Sequence, residues 1–367
     1  MQLLVQERRW ILETLNEEDS LTVRIIEADN DITSTWDSIV GQSLHGTIFH
    51  TLNWLKIVEK RTNSRLYLLA GLKGEEVIGV FPVFRQDFMH SLLRTALSPH
   101  GNSFIPYLGP LFLNFNAYKQ DKKELIVKDF VDASNLFLRR KMNPNYVSIM
   151  SAPGLTDVRS YQWGKYDVTP RYTYVKDIID IESAWVDFKK VLRKNILNAE
   201  KKGVVVREGG KQDLHYIFSA VSNRLSKQEL NIGISKDYFL DLYESFYPRN
   251  LNVFIAEYGN ERVGGIITIC FKDKLSVWFG AAQSDFGGFY PNDLLHWSII
   301  KWANKQGFKK FEIIGANSPT ISFFKSKYNL NLELYFSVSK YSSWFVKYAK
   351  SAYTKALLPV LFRLRKS

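Results

Sequence analysis

Two stretches of this chain read alike. LLAGLKGEEVIGVFPVF at 68–84 matches VFIAEYGNERVGGIITI at 253–269. Each is an apolar run, a turn rich in Gly, Asn and Glu, a Val-x-Gly, and a second apolar run, which is hairpin patterning. Upstream, Asn53-Trp54-Leu55 stands at nearly the same offset as Tyr238-Phe239-Leu240. Two coincidences in register point to duplication of one α/β unit, and a duplicated unit restricts the chain to architectures in which each half builds its own sheet. The length agrees, because 367 residues exceed one ordinary core. The expected division is a first α/β domain over 1–165, a second over 166–340, and a basic amphipathic helix over 341–367.

The densest functional signal lies in 278–328. The apolar run ending at Phe279 suits a strand, and Gly287-Gly288 interrupts it. Pro291 suits the first helical position, where its missing N–H costs nothing. Leu294, Leu295, Ile299, Trp302 and Ala303 follow at helical spacing, and Gly307 closes the helix. A strand through 311–314 ends at Gly315, and Phe323, Phe324 and Lys325 open the next helix. A loop feeding a helix N-terminus collects free N–H groups and is a seat for a phosphate or a carbonyl oxygen. Elsewhere, 183–202 reads as one helix with Trp185, Phe188, Leu192, Ile196 and Ala199 on one face. The segment 85–114 reads as a long irregular loop.

Charge adds a constraint. The formal net charge is +12, which favours polyanionic partners: nucleic acid, phosphorylated carriers or an anionic membrane surface. Cys270 is the single cysteine and the six His lack ligand spacing. No disulfide within the chain, no metal site and no resident cofactor are expected. The first twenty residues are charged throughout and no apolar run approaches membrane-spanning length. The expectation is a cytoplasmic protein, or one peripheral to the inner face of the membrane.

The order and spacing of several patches resemble the FemAB-like transferases, which are built from two domains of the acyl-CoA N-acyltransferase (GNAT) fold. Phe49 to Trp54 resembles an F-x-x-x-x-W element, and Pro106-Tyr107 with Gly109-Pro110 resembles a proline-glycine loop. RKNILNAEKKG at 193–203 resembles a basic helix, and Ser222-Asn223-Arg224 resembles T-x-R. Pro291-Asn292 to Trp297 resembles P-N-x-L-x-W, and Gly315 with Phe324-Lys325 resembles a late G…F-K pair. The resemblance implies an α/β chain of two tandem GNAT-like domains, each a mixed sheet flanked by helices. It also implies transfer of an aminoacyl or acyl group to an amine of a cell-envelope precursor such as peptidoglycan, or of a glycan. The loop at 283–290, QSDFGGFY, departs from the acetyl-CoA pattern Q/R-x-x-G-x-G/A, which favours aminoacyl-tRNA over acyl-CoA as co-substrate.

Acyl transfer to an amine needs a neutral amine, aligned substrates and positive charge at the tetrahedral oxyanion. No Ser–His–Asp or Cys–His set is visible, so direct attack in a ternary complex is expected. Lys325 corresponds to the family lysine at the acyl ester; the alternative is a solvated helix-face lysine beside Lys327. Asp285 is the acid of the Gly loop and a candidate base. Arg224 corresponds to a family arginine on an acceptor phosphate; the alternative is an ion pair with Glu229. Tyr107, Tyr290 and Trp54 are substrate-lining candidates, or core aromatics. Asn292 orients substrate or caps its helix. Arg193, Lys194, Lys201 and Lys202 form a strip that tracks a tRNA backbone, or a solvated face. His100 and His296 are further candidate bases. Two other readings stay open: an acyl-CoA-dependent N-acyltransferase of amino sugars in polysaccharide synthesis, and a non-catalytic GNAT scaffold that binds polyanions or membranes through 341–367.

Overall fold

The computed structural model describes residues 22–88, 91–227, 233–282 and 286–352. Their contacts divide the chain into two units, Met1–Pro170 with Tyr335–Ser367, and Arg171–Leu334.

The first unit opens with β1 (Arg24–Glu27), α1 (Asn30–Gln42) and α2 (Leu52–Thr62). Asp29 caps α1 by accepting from the Ile32 N–H at 2.9 Å. β2 (Arg65–Lys73), β3 (Glu76–Phe88), β4 (Leu93–Ser98) and the short β5 (Leu111–Phe112) follow, then α3 (Gln120–Lys141), β6 (Tyr146–Met150) and α4 (Arg159–Trp163). The sheet runs β1-β2-β3-β4-β6, with β5 on β3. Neighbours are antiparallel except β4 and β6, which are parallel and joined through α3. α3 buries Ile126, Val127, Phe130 and Val131 in a core with Leu69, Phe81, Val83 and Val147. The segment expected to be irregular, 85–114, therefore holds the end of β3, all of β4 and β5. Leu93, Ala96 and Leu97 are buried there, and β4 was hidden because its six residues show no clean alternation.

The second unit repeats this plan. It contains β7 (Asp167–Asp177) from Arg171 onward, α5 (Ile181–Asp187), α6 (Lys190–Lys201), β8 (Val204–Glu208), α7 (Lys211–Ser226) and α8 (Lys236–Phe246). β9 (Leu251–Tyr258), β10 (Glu261–Phe271), β11 (Lys274–Ala282), α9 (Pro291–Lys305), β12 (Lys310–Ile313) and α10 (Pro319–Lys325) complete it. The order is β8-β9-β10-β11-β12-β7, and again one pair, β11 with β12, is parallel. The repeat extends to an irregularity. Between β2 and β3 the pairing skips Ile78, and between β9 and β10 it skips Val263, one residue before Gly79 and Gly264 respectively. The residue preceding Gly79 and Gly264 is thus a β-bulge at the same place in both hairpins.

The last strand, β13 (Asn331–Tyr341), pairs antiparallel with β6 through residues 337–341 and belongs from Tyr335 to the first unit. α11 (Trp344–Ala352) follows; the rest of the expected C-terminal helix lies outside the described residues. The expected boundaries shift accordingly, since 166–170 and 335–340 group with the first unit. The expected helix over 183–202 is two helices. Phe188 and Lys189 take extended ψ of 142° and 141°, which sinks Phe188 against Trp297 and Tyr328 and lets the Lys189 N–H donate to Lys327 O at 3.0 Å. Among the described residues no helix is long and apolar enough to cross a membrane.

Candidate functional site

In the second unit, β11 carries a further bulge at Trp278, where its pairing with β10 skips from Phe279 to Val277. After β11 the chain turns through Gly287 and Gly288, with φ of +59° and +85°, which suits residues without a Cβ. Phe286 and Phe289 close this turn with reciprocal backbone bonds of 2.8 and 3.3 Å. Asn198 Nδ2 of α6 donates to Gly288 O at 3.3 Å. Tyr290 is the N-cap of α9 and makes no side-chain cap bond, and Pro291 takes the first helical position. Three residues into the helix sits Asp293, 1% exposed. Its Oδ1 accepts from Lys327 Nζ at 2.5 Å and Tyr328 Oη at 3.3 Å, and its Oδ2 from Asn195 Nδ2 at 2.9 Å. A buried carboxylate is tolerated only when its lone pairs are filled, and here they are filled by three side chains, Asn195 from α6 and Lys327 and Tyr328 from the turn after α10. Burial and the Asp293 charge drive the Tyr328 phenol far above its usual value.

Lys325 ends α10 and is 6% exposed. Its ammonium donates to Ile314 O at 2.6 Å, Ile313 O at 3.4 Å and Gly315 O. Burial lowers it to about 8 against the opposing pull of Glu312. Glu312 is itself fully buried and accepts from Thr173 Oγ1 at 2.8 Å and Ser276 Oγ at 2.6 Å, with Lys274 Nζ at 3.1 Å. Lys325 is therefore a clamp on the turn after β12. With its three N–H groups on the turn's own carbonyls, it offers a ligand charge and not a free donor. His296 is buried, its Nδ1 donates to Asn292 O at 2.8 Å, and burial lowers it to about 4. It is neutral at pH 7.

Residues 187–326 match the Acetyltransferase (GNAT) domain family. No curated protein matches the chain in sequence. Among solved structures the chain is similar to FemX, with TM-score 0.62, 12% identity, and coverage of 85% of this chain and 96% of that one. The fold is that of the FemAB-like tandem GNAT proteins. Two further structures agree. A tandem GNAT protein from the clavulanic acid biosynthesis pathway gives TM-score 0.54 at 9% identity, covering 88% of this chain and 99% of that one. L-PGS from Bacillus licheniformis gives 0.51 at 13% identity, covering 88% and 95%. The matched GNAT segment holds α6, the Gly turn, α9 and Lys325, so the second unit carries an acyltransferase-type domain.

Within this FemAB-like fold the sequence-expected residues fare unequally. Lys325, Tyr290 and Asn292 lie on the elements just described. Asn292 is not the cap, since that position falls to Tyr290; its carbonyl serves His296. Asp285 lies outside the described residues, as does Glu229. Arg224 is exposed in the last turn of α7, with Nη2 donating to Gly280 O at 3.3 Å. Trp54 and Tyr107 are 0% and 1% exposed in the first unit, both edge-on to Phe49, with Tyr107 also against Tyr335. They are packing residues, because aromatics spaced along a helix and a rigid loop found a core before they found a groove. Lys194, Lys201 and Lys202 are exposed along α6 and its end. Arg193 is half-buried, and among the described residues its Nε has no hydrogen-bond partner. His100 is buried, bonded to Gln86 Oε1 at 2.6 Å and lowered to about 4 by desolvation. Sequence reasoning missed Asp293, Lys327, Tyr328 and Glu312. A first-turn acid normally serves the helix dipole in solvent, and only the fold reveals that this one is buried against a lysine 34 residues on.

Proposed function

We propose that this chain is a transferase that forms an amide on an amine of a cell-envelope precursor or glycan, taking the acyl group from aminoacyl-tRNA. The observation that carries it is the coincidence of the GNAT-matched segment with a strand, Gly turn and helix start on a FemX-like fold. In this reading a neutral amine attacks the ester carbonyl directly. The C–N bond forms, the C–O bond to the ribose breaks, and the amine proton passes, directly or by way of Asp285, to the departing ribose oxygen, which leaves as a hydroxyl. Lys325 supplies positive charge to the oxyanion while holding the turn at 313–315 in place. Arg224 holds an acceptor phosphate, and Arg193, Lys194, Lys201 and Lys202 follow the tRNA backbone. Tyr290 and Asn292 line the entrance to α9.

The test is transfer of radiolabel from charged tRNA, compared with acyl-CoA, into an extracted envelope fraction. Label from tRNA alone is the expected result; label from neither donor overturns the reading. Lys325→Met is expected to lower turnover about tenfold to a hundredfold while the far-UV spectrum is kept. Unchanged turnover removes Lys325 from the chemistry. A second reading, acyl-CoA as donor, rests on the match of residues 187–326 to the Acetyltransferase (GNAT) domain family. Label from acyl-CoA alone selects it.

A further inference from the structure

A cavity of about 620 Å³ lies at the end of α3 in the first unit. Lys340 of β13 is the pairing partner of Val147 on β6, so both side chains point to the α3 side of the sheet. Leu136, Leu138 and Val147 give the cavity a buried apolar floor. Among the described residues its charged lining is Lys128, Arg139 and Lys340 against one acid, Asp132, which pairs with Lys128 at 3.0 Å. The wall therefore carries two positive charges in excess.

The fold brings these cations together from separate elements. Lys340 donates to Gly164 O at 2.7 Å and its ammonium lies 5.0 Å from the Tyr166 ring centroid, which leaves two of its N–H groups for a ligand. Desolvation, then the charges of Arg139 and Lys165, hold that ammonium below the usual lysine value. An arginine in the last turn of α3 also serves the helix dipole. Lys340 and Lys165 stand on other elements, so the dipole does not account for their convergence. A cation crowded by cations gains from an anion. A neutral donor stands beside them. Burial raises the Tyr166 phenol, which stays protonated and donates to Asn135 Oδ1 at 2.5 Å. That bond leaves Asn135 Nδ2 as a donor on the cavity wall.

We propose that this cavity binds a small phosphate monoester, with Arg139 and Lys340 on the phosphate, Asn135 as a further donor, and the apolar floor beneath the body that carries it. A dianion matches the charge excess of the wall, and a guanidinium beside an ammonium suits phosphate oxygens. A concave wall of this volume takes a compact molecule, whereas a nucleic-acid backbone is met by a groove that tracks it. The site belongs to the first unit alone and is independent of which group the second unit transfers.

The full chain is titrated calorimetrically with phenyl phosphate at low salt, with inorganic phosphate and phenol as controls. Phenyl phosphate is expected to bind at least about tenfold more tightly than either. R139Q and K340Q are each expected to weaken it about fivefold to tenfold, and added salt to weaken it further. Affinity is expected to fall as pH drops through about 6, where the phosphate dianion takes up a proton. Bound phenyl phosphate is also expected to shield Lys340 from acetic anhydride, which locates the site. If K340Q loses its cooperative melt, R139Q alone is read, and it must still weaken binding. Absence of phenyl phosphate binding, equal binding of either control, indifference to R139Q, unshielded Lys340, or affinity for short RNA lost with R139Q while phenyl phosphate does not bind each overturns the proposal.

Discussion

Asp293 and Lys327 show what a single residue does in this fold. Asp293 is buried and Lys327 half-buried, and removing one member of such a pair leaves the other charge poorly solvated and unpaired. Asp293→Asn is expected to cost about 3 kcal/mol in urea unfolding, and D293N/K327M less than D293N alone, because the second change removes the stranded ammonium. An additive double variant refutes that coupling. His296 adds a pH dependence. Its value falls from 6.5 unfolded to about 4 folded, so between those values the unfolded chain binds the extra proton. Stability is therefore full above about pH 6.5 and declines as pH falls to about 4, on the order of 3 kcal/mol in all. His296→Phe is expected to flatten this part of the acid slope, and a denaturation series from pH 7 to 4 reads it directly. Sequence periodicity identifies such positions as facing inward. It does not say which cation waits there, because the partner comes from another element.

At the scale of elements, the hairpin repeat was legible because its glycines answer to local geometry. A Cβ on Gly79 would stand 2.5 Å from the backbone oxygen of Leu111 and 3.1 Å from Phe130. Gly79→Ala is expected to destabilise the first unit by about 1–3 kcal/mol, seen as a lowered urea midpoint; a neutral effect contradicts the close approach of β5. Helix α9 was legible too, since Pro291 and its apolar stripe are local facts. The break at Phe188 was not. The run from 183 to 202 has unbroken helical spacing, and the chain departs from it at Phe188 and Lys189, where burying Phe188 against Trp297 and Tyr328 offsets the interrupted helix. β4 was missed for a related reason. It lies between β3 and β6, and five of its six residues are buried, so burial there does not alternate.

At the scale of the molecule, each unit completes its sheet with a strand that the repeat does not supply locally. β13 follows the second unit in sequence, yet it closes the first unit's sheet on β6. Truncation after Leu334 is therefore expected to unprotect amides of β6 and α3 in hydrogen exchange while β9 and β10 keep their protection. Loss confined to the second unit refutes the allocation. The sequence by itself determined the duplication, the hairpins with their Val-x-Gly signature, the start of α9 and the basic tail, because each is set by a few neighbouring residues and a period of 2 or 3.6. Only the tertiary structure decided which strand completes which sheet, which aromatics are core, and which charges meet in the dry interior. Those outcomes depend on contacts between residues far apart in the chain, and no local pattern encodes the partner.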